Sequence, residues 1–205
     1  LICSKKAPII MAPTVKEPPQ EFDATVETLI VGAGACGLIA ALSAAEAGQE
    51  VLVIEADAVP SGSTALPAGL IPAAGTKIQQ AAGVKDSTAL FAADIQAKAH
   101  QENSQELVDL LAQNAAEVID WLTQTQGLAF SLVDDFDYPG HSSRRMHGLP
   151  TRAGSELIDA LRSAAERAGI DIICGRRAET LYFADGLVHG VATLRPDGGI
   201  ETIGC

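Results

Sequence analysis

The chain is poor in basic charge. Of its 205 residues, 14 are Lys or Arg against 26 Asp or Glu, a formal net charge of −12. Sequence-independent nucleic-acid binding needs a basic surface, so the balance argues against it, and against a bulky acidic partner. A small anion is still allowed, because backbone N–H groups can hold one without Lys or Arg. No apolar run approaches the ~20 residues of a membrane span. The N-terminus, LICSKKAPIIMAP, lacks the continuous apolar stretch of a signal peptide. The four cysteines, Cys3, Cys36, Cys174 and Cys205, form no C-x-x-C pair. That argues against a zinc site or a disulfide framework and for reduced thiols in the cytoplasm.

What is present is a globular composition, 47% hydrophobic and 20% charged, in a length that suits one domain with at most a small appendage. Residues 1–22 hold four of the ten prolines and no periodicity, which predicts a flexible arm. Met11 fits a translation start, with 1–10 then vector-derived or misannotated. The domain is expected over 23–205. Val26–Val31 reads as a buried strand, Ala35–Ala47 as a helix stopped by Gly48, and Glu50–Ile54 as a second buried strand. Together they predict a βαβ unit with parallel strands and a right-handed crossover.

Residues 60–86, rich in Gly, Pro, Ser, Thr and Ala, form an irregular stretch too long to be an idle connection. Helices are expected over 88–100 and 105–125, the second capped by Asn103 or Ser104. Its Leu107, Leu110, Leu111, Val118, Ile119 and Leu122 are expected to face a core. Residues 126–150 read as a second irregular stretch. A helix over 154–168 follows, with Leu157, Leu161, Ala164, Ala165 and Ala168 inward and Gly169 as its cap. IDIIC (170–174) reads as a third buried strand. TLYFA, LVHGVATL and IETIG, separated by turns, predict an antiparallel three-stranded meander.

The strongest local signal is VGAGACG, where Gly32, Gly34 and Gly37 make G-x-G-x-x-G between a strand and a helix. The first glycine permits a tight turn, the second lets backbone approach a pyrophosphate, and the third lets helix and strand pack closely. Ala33, Ala35 and Cys36 complete the loop, whose N–H groups and helix dipole suit phosphates. Cys36 reads as a small packing residue, since nothing nearby would lower its pKa. Glu55, followed by Ala56, ends the second strand, where a carboxylate accepts both ribose hydroxyls of an adenosine and repels a 2′-phosphate. NAD and FAD both remain open on these residues. The stretch Ser61 to Ile71 favours FAD, because small and hydroxyl side chains let backbone lie along a long flat cofactor.

GAGACGLIAALSAAEAG, VLVIEA, SGSTALPAGLIPAAGT and GVKDSTALFAADI together resemble the flavoproteins of the fumarate reductase and succinate dehydrogenase family, soluble fumarate reductases and 3-ketosteroid dehydrogenases included. The resemblance covers 25–205. It implies an α/β, Rossmann-like FAD-binding domain with a parallel βαβ core and the meander, cut before the family's capping domain. It also implies FAD contacts at Ser61, Gly62, Ser63, Thr64, Ala68, Gly69 and Leu70, and an adenine contact at Ala178 through its backbone. Membrane-bound members carry a flavin-linked histidine where this chain has Ser63, so the FAD is expected to be non-covalent.

The implied activity is hydride exchange between flavin N5 and a CH–CH substrate, a small molecule, acidic ones included. The remainder of a flavoenzyme or a partner subunit would complete it. Nothing in these residues assigns a catalytic acid or base; the resemblance implies that the family's substrate-clamping His and Arg groups come from later parts of the chain. An NAD-binding dehydrogenase domain and a non-catalytic FAD-binding module are the alternatives. His141, Arg144, Arg145, His147 and Arg152 form a basic patch with two readings. It either lines the mouth of a site or is a solvated loop whose arginines pair with local carboxylates. His100 and His189 read as surface and strand residues.

Overall fold

The computed structural model describes residues 14–205. They form two compact units, one of residues up to Pro60 with Ala168–Cys205, the other Ser61–Arg167. In chain order the elements are β1 (Thr14–Lys16), β2 (Ala24–Thr25), β3 (Thr28–Val31), α1 (Ala35–Glu46), β4 (Val51–Ile54), β5 (Ile71–Pro72), α2 (Lys77–Ala81), α3 (Thr88–Lys98), α4 (Gln105–Gln124), β6 (Ser131–Leu132), β7 (Met146–Gly148), α5 (Gly154–Arg167), β8 (Asp171–Ile173), β9 (Arg177–Ala184), β10 (Leu187–Leu194) and β11 (Ile200–Gly204).

The first unit carries two sheets. One is parallel, in the order β3-β4-β8. Only β4 is central, and its VLVI run is buried. β3 and β8 were expected to be buried too, but as edge strands they leave Val31 and Ile173 exposed. β3 also starts late, because the Val26 N–H goes instead to the Gly204 carbonyl (3.0 Å). α1 connects β3 to β4 and buries Leu38, Ala41 and Leu42, as an Ala/Leu helix in a βαβ unit should.

The second sheet is the expected meander. β9, β10 and β11 are antiparallel, and Asp185 and Gly186 both take positive φ (51° and 81°), as a two-residue hairpin turn requires. Two short strands extend it to the order β1-β9-β10-β11-β2. This corrects the reading of residues 1–22 as an arm. Residues 1–13 lie outside the described residues, but Thr14–Lys16 pairs in parallel with β9. Thr14 Oγ1 also meets Thr180 Oγ1 at 2.8 Å. Both meander edges are thus covered by one N-terminal segment, which leaves only the short β1 and β2 at the sheet edges. Phe22 anchors that segment, edge-on to Tyr182 at 5.6 Å. Glycines 190 and 204 make its floor, since a Cβ at either would come within 3 Å of the Phe22 ring. Ile54, Val191 and Ile203 form a buried cluster that joins the two sheets.

In the second unit α3 and α4 pack Phe91, Ala92, Val108 and Ala112 around Ala74. α4 has its expected length, but its buried face is Val108, Ala112, Ile119 and Leu122. Leu107, Leu110, Leu111 and Val118 lie outside, at 66%, 60%, 52% and 37% exposure. The helix has more apolar circumference than its neighbours cover. Ser104 occupies the N-cap position without a side-chain bond. α5 turns Leu157, Ile158, Leu161, Ala164 and Ala165 inward, while Ala168 lies exposed past its last turn.

Inside the supposedly irregular 60–86 stretch lies α2. It is nucleated by a capping box in which Thr76 Oγ1 accepts from the Gln79 N–H and the Gln79 side chain returns to the Thr76 N–H. A short antiparallel sheet, β5-β7-β6, completes this unit.

Candidate dinucleotide-binding site

The glycine loop sits where β3 ends and α1 begins. The Gly32 N–H is bonded to the Ile54 carbonyl at 2.7 Å, which fixes the loop beside the end of β4. Gly32 takes φ 99°, a conformation that favours glycine. A Cβ on Gly37 would collide with the Gly32 carbonyl and lie 3.2 Å from Ile30 Cγ2. Strand and helix therefore touch backbone to backbone. Gly34 is the N-cap of α1 without a side-chain cap, and no acid occupies the first turn. A 12-residue helix thus begins with no capping side chain at Gly34 and no acid in its first turn, which suits an anion. Cys36 is exposed within this turn rather than packed inward. The expected packing role fails because the inward positions of this turn are taken by Ala33 and Leu38, which are buried.

Glu55 ties the loop together. Its Oε2 accepts from the Ala33 N–H at 2.8 Å and its Oε1 from the Asp57 N–H at 2.9 Å. A carboxylate offers about four acceptor positions. These two bonds leave capacity for hydroxyl donors, as ribose recognition would need. Ala33 itself is fully buried, so it offers backbone and not side chain. Ala56 follows on the exposed surface. The start of β9 is held to the same strand end, since the Arg176 N–H donates to the Glu55 carbonyl (2.7 Å) and the Gly175 N–H to the Asp57 carbonyl (3.0 Å). Ala178 lies two residues further on, its methyl against the Ile54 cluster. The first unit thus brings Gly32–Gly37, Glu55 and the approach to Ala178 to one end of the parallel sheet.

The FAD binding domain family matches residues 27–203 of this chain. The chain belongs to that family. A probable fumarate reductase, Ifc3, of Shewanella frigidimarina is 35% identical over 179 residues, which is 82% of this chain and 30% of that protein. A urocanate reductase of Eggerthella lenta is 30% identical over 179 residues, 86% of this chain and 29% of that protein. Among solved structures, the open conformation of a flavocytochrome c3 fumarate reductase matches with TM-score 0.80 at 33% identity, covering 89% of this chain and 32% of that one. A 3-ketosteroid-Δ4-(5α)-dehydrogenase from Rhodococcus jostii shares the fold, with TM-score 0.79 at 22% identity. The chain spans about 30% of the length of the curated relatives it matches.

FAD fits the residues described. An uncapped helix N-terminus suits its pyrophosphate, and a carboxylate with spare acceptor capacity suits its ribose. Of the stretch that the family resemblance assigns to FAD, Ser61, Ser63, Thr64 and Ala68 lie in or beside a 3₁₀ turn (Ser63–Ala65) in the second unit. Gly62 precedes the turn. Gly69 is buried at φ 63°, where a Cβ would lie 2.9 Å from the Ala153 carbonyl, so a larger residue there is strained. Leu70 is half-buried, with its Cδ2 filling the space a Cβ on Gly148 would need.

The basic patch resolves into pairs. Arg144 meets Asp137 (2.8 Å), and Arg152 meets Asp135 (2.8 Å), both exposed. Local pairing is therefore correct, but solvation is not, for Arg145 is fully buried. Its Nε and Nη2 donate to Asp86, each at 3.0 Å. Its Nη1 lies 2.7 Å from Asp94 Oδ2, a charge contact off the hydrogen-bond line. The guanidinium also stands 4.9 Å over the Phe91 ring.

Asp86 receives the Gln79 side-chain amide and the Ser87 N–H besides. Burial raises the Asp94 pKa, but bonds from Ser142 and the charge of Arg145 outweigh it, leaving the carboxyl below its ordinary range. His147 is fully buried against Thr76 Oγ1, 2.9 Å from its Nε2. Burial holds its pKa below the ordinary histidine value. The T-x-x-Q box at 76–79 was the signal in the sequence for this network, but nothing there reveals its partners. Among the described residues, no group of His, Cys, Asp and Glu is placed to hold a metal.

Proposed function

We propose that this chain is the FAD-binding part of a flavin-dependent oxidoreductase acting on a carbon–carbon double bond or its reduced form. The observation that carries the reading is the glycine loop closed onto Glu55, in a chain matched by the FAD binding domain family over 27–203. Backbone N–H groups at the N-terminus of α1 hold the pyrophosphate, Gly32 and Ala33 shape the loop through their bonds to Ile54 and Glu55, and Glu55 meets the ribose and the Ala178 backbone the adenine. Ala56, Ser61–Thr64 and Ala68–Leu70 contribute further FAD contacts.

FAD supplies a hydride-exchanging N5. The chain's own part is to bind and orient the cofactor and to exclude water from it; none of its residues is assigned as the acid that delivers the proton. Ser63 has no ring nitrogen to bond to flavin, so the cofactor is held non-covalently.

The relatives' names point to the substrate class. Fumarate, urocanate and acrylate each carry a double bond conjugated to a carboxylate. We assign this protein a small enoate of that kind, with a ketosteroid-like enone as the alternative. No helix among the described residues is long and apolar enough to cross a membrane. We place the protein in the cytoplasm.

The test uses the full-length gene product with a reduced electron donor and each of these acids in turn. Substrate-dependent donor oxidation and the saturated acid as product are expected. Turnover with none of them, in a protein that retains FAD, would leave a non-catalytic FAD module. Retention of NAD and never of FAD would overturn the cofactor assignment. Acid precipitation should release the flavin into the supernatant; flavin left on the precipitate would contradict non-covalent binding.

A further inference from the structure

α4 presents an apolar face that nothing described covers. Leu107, Leu110, Leu111 and Val118 are all exposed, and their spacing of three, four and seven residues places them on one side of the helix. The half-buried Trp121, the one tryptophan of the chain, continues the stripe by one turn. Scattered exposed leucines need no explanation, but a contiguous stripe of this kind marks an interaction surface.

The charge beside the stripe selects the partner. α4 carries four acidic residues (Glu106, Asp109, Glu117 and Asp120) and no Lys or Arg. Asp120 is engaged by the Lys77 N–H. Glu106 and Glu117 are exposed and border the stripe on the side away from the core. A second copy laid on this face would set acid against acid, in a chain of net charge −12. A membrane with an anionic surface is disfavoured by the same sign.

We propose that this face docks a basic amphipathic helix from a partner polypeptide. Its apolar residues seat on Leu107, Leu110, Leu111 and Val118, and its Lys or Arg residues face Glu106 and Glu117. The interaction lays one amphipathic helix along another by their apolar faces, with anchors at helical spacing.

The probe is a synthetic amphipathic Leu/Lys peptide of about 18 residues, long enough for five turns. It is titrated into the chain with Trp121 emission as the readout. A saturable blue shift is expected, weakening as salt rises. Leu107→Asp with Leu111→Asp should lower affinity by about tenfold or more, as loss of central anchors does. These substitutions add negative charge, so mere attraction of a cationic peptide would grow instead. Equal or tighter binding by that variant would therefore overturn the proposal. So would equal binding of a matched Leu/Glu peptide, or a dimer in sedimentation that the double variant dissolves. If circular dichroism finds the double variant unfolded, Glu106→Gln with Glu117→Gln decides. It should flatten the salt dependence, and an unchanged dependence would refute the charge half of the assignment.

Discussion

Arg145→Leu is the substitution with the largest expected effect on folding. The Arg145 side chain is 0% exposed, that of Asp86 1% and that of Asp94 12%. Removing the cation leaves two carboxylates out of water with their charge uncompensated. Breaking a buried ion pair from one side costs about 3–5 kcal/mol. For a chain of this size that corresponds to a fall in Tm of about 6–20 °C, at ~2–4 °C per kcal/mol. Arg145→Lys should fall between, because one ammonium cannot serve two carboxylates with the geometry of a guanidinium fork. The comparison is Arg144→Leu, whose pair with Asp137 is exposed at 44% and 78%. Water screens that pair, and its loss should leave Tm unchanged within error. Thermal and urea unfolding followed by circular dichroism read the series. If Arg145→Leu costs no more than Arg144→Leu, the buried network does not hold the second unit together.

Gly37→Ala forces a methyl against the Gly32 carbonyl. The loop must open, at about 1–3 kcal/mol of overpacking cost, and an FAD titration should find weaker retention even where the chain stays folded. His147 governs a pH effect. Its folded pKa is depressed, so the unfolded chain binds the extra proton, and stability is full above the ordinary value of 6.5 and declines as pH falls below it. His141, also depressed by burial and by Arg145, adds to the decline. In His147→Gln the loss of stability between neutral and mildly acid pH should shrink, and an unchanged pH profile would place the effect elsewhere. Phe22→Ala removes the anchor of the N-terminal segment on Tyr182, Gly190 and Gly204. An expected loss of about 1–3 kcal/mol should come with faster amide exchange in β1, β2 and the strands they cap.

The βαβ unit, α1, α3 and the meander were legible because each rests on local signals, such as a buried β-rich run, an Ala/Leu helix or a Gly-containing turn. α4 shows where such signals stop. Its length was readable from Gln105 to Gln124, but its apolar residues span more than one face, and sequence alone does not say which face meets a neighbour. Thr14–Lys16 escaped notice for a similar reason, since a three-residue strand is made by its partner β9 and not by its own pattern. In the candidate site, the loop geometry at Gly32 and Gly37 was legible because the turn and the close packing demand glycine there. The engagement of Glu55 by the Ala33 and Asp57 N–H groups was not, because backbone donors carry no mark in a sequence. Arg145 looked like a neighbour of Arg144, yet one is buried between two aspartates and the other is exposed. That difference is fixed by residues some 50–60 positions away, Asp86 and Asp94.

Binding of the adenosine half of FAD by the loop closed on Glu55 is the expectation on which the functional reading rests. It is tested most directly by titrating FAD into the chain and into Glu55→Ala, with retained flavin absorbance after desalting as a second readout. The unaltered chain should bind and keep FAD. The alanine variant, lacking a charged acceptor for the ribose, should bind about 5–150-fold more weakly, or ~1–3 kcal/mol. A chain that takes up no FAD, or a variant that binds it as tightly, would contradict that expectation.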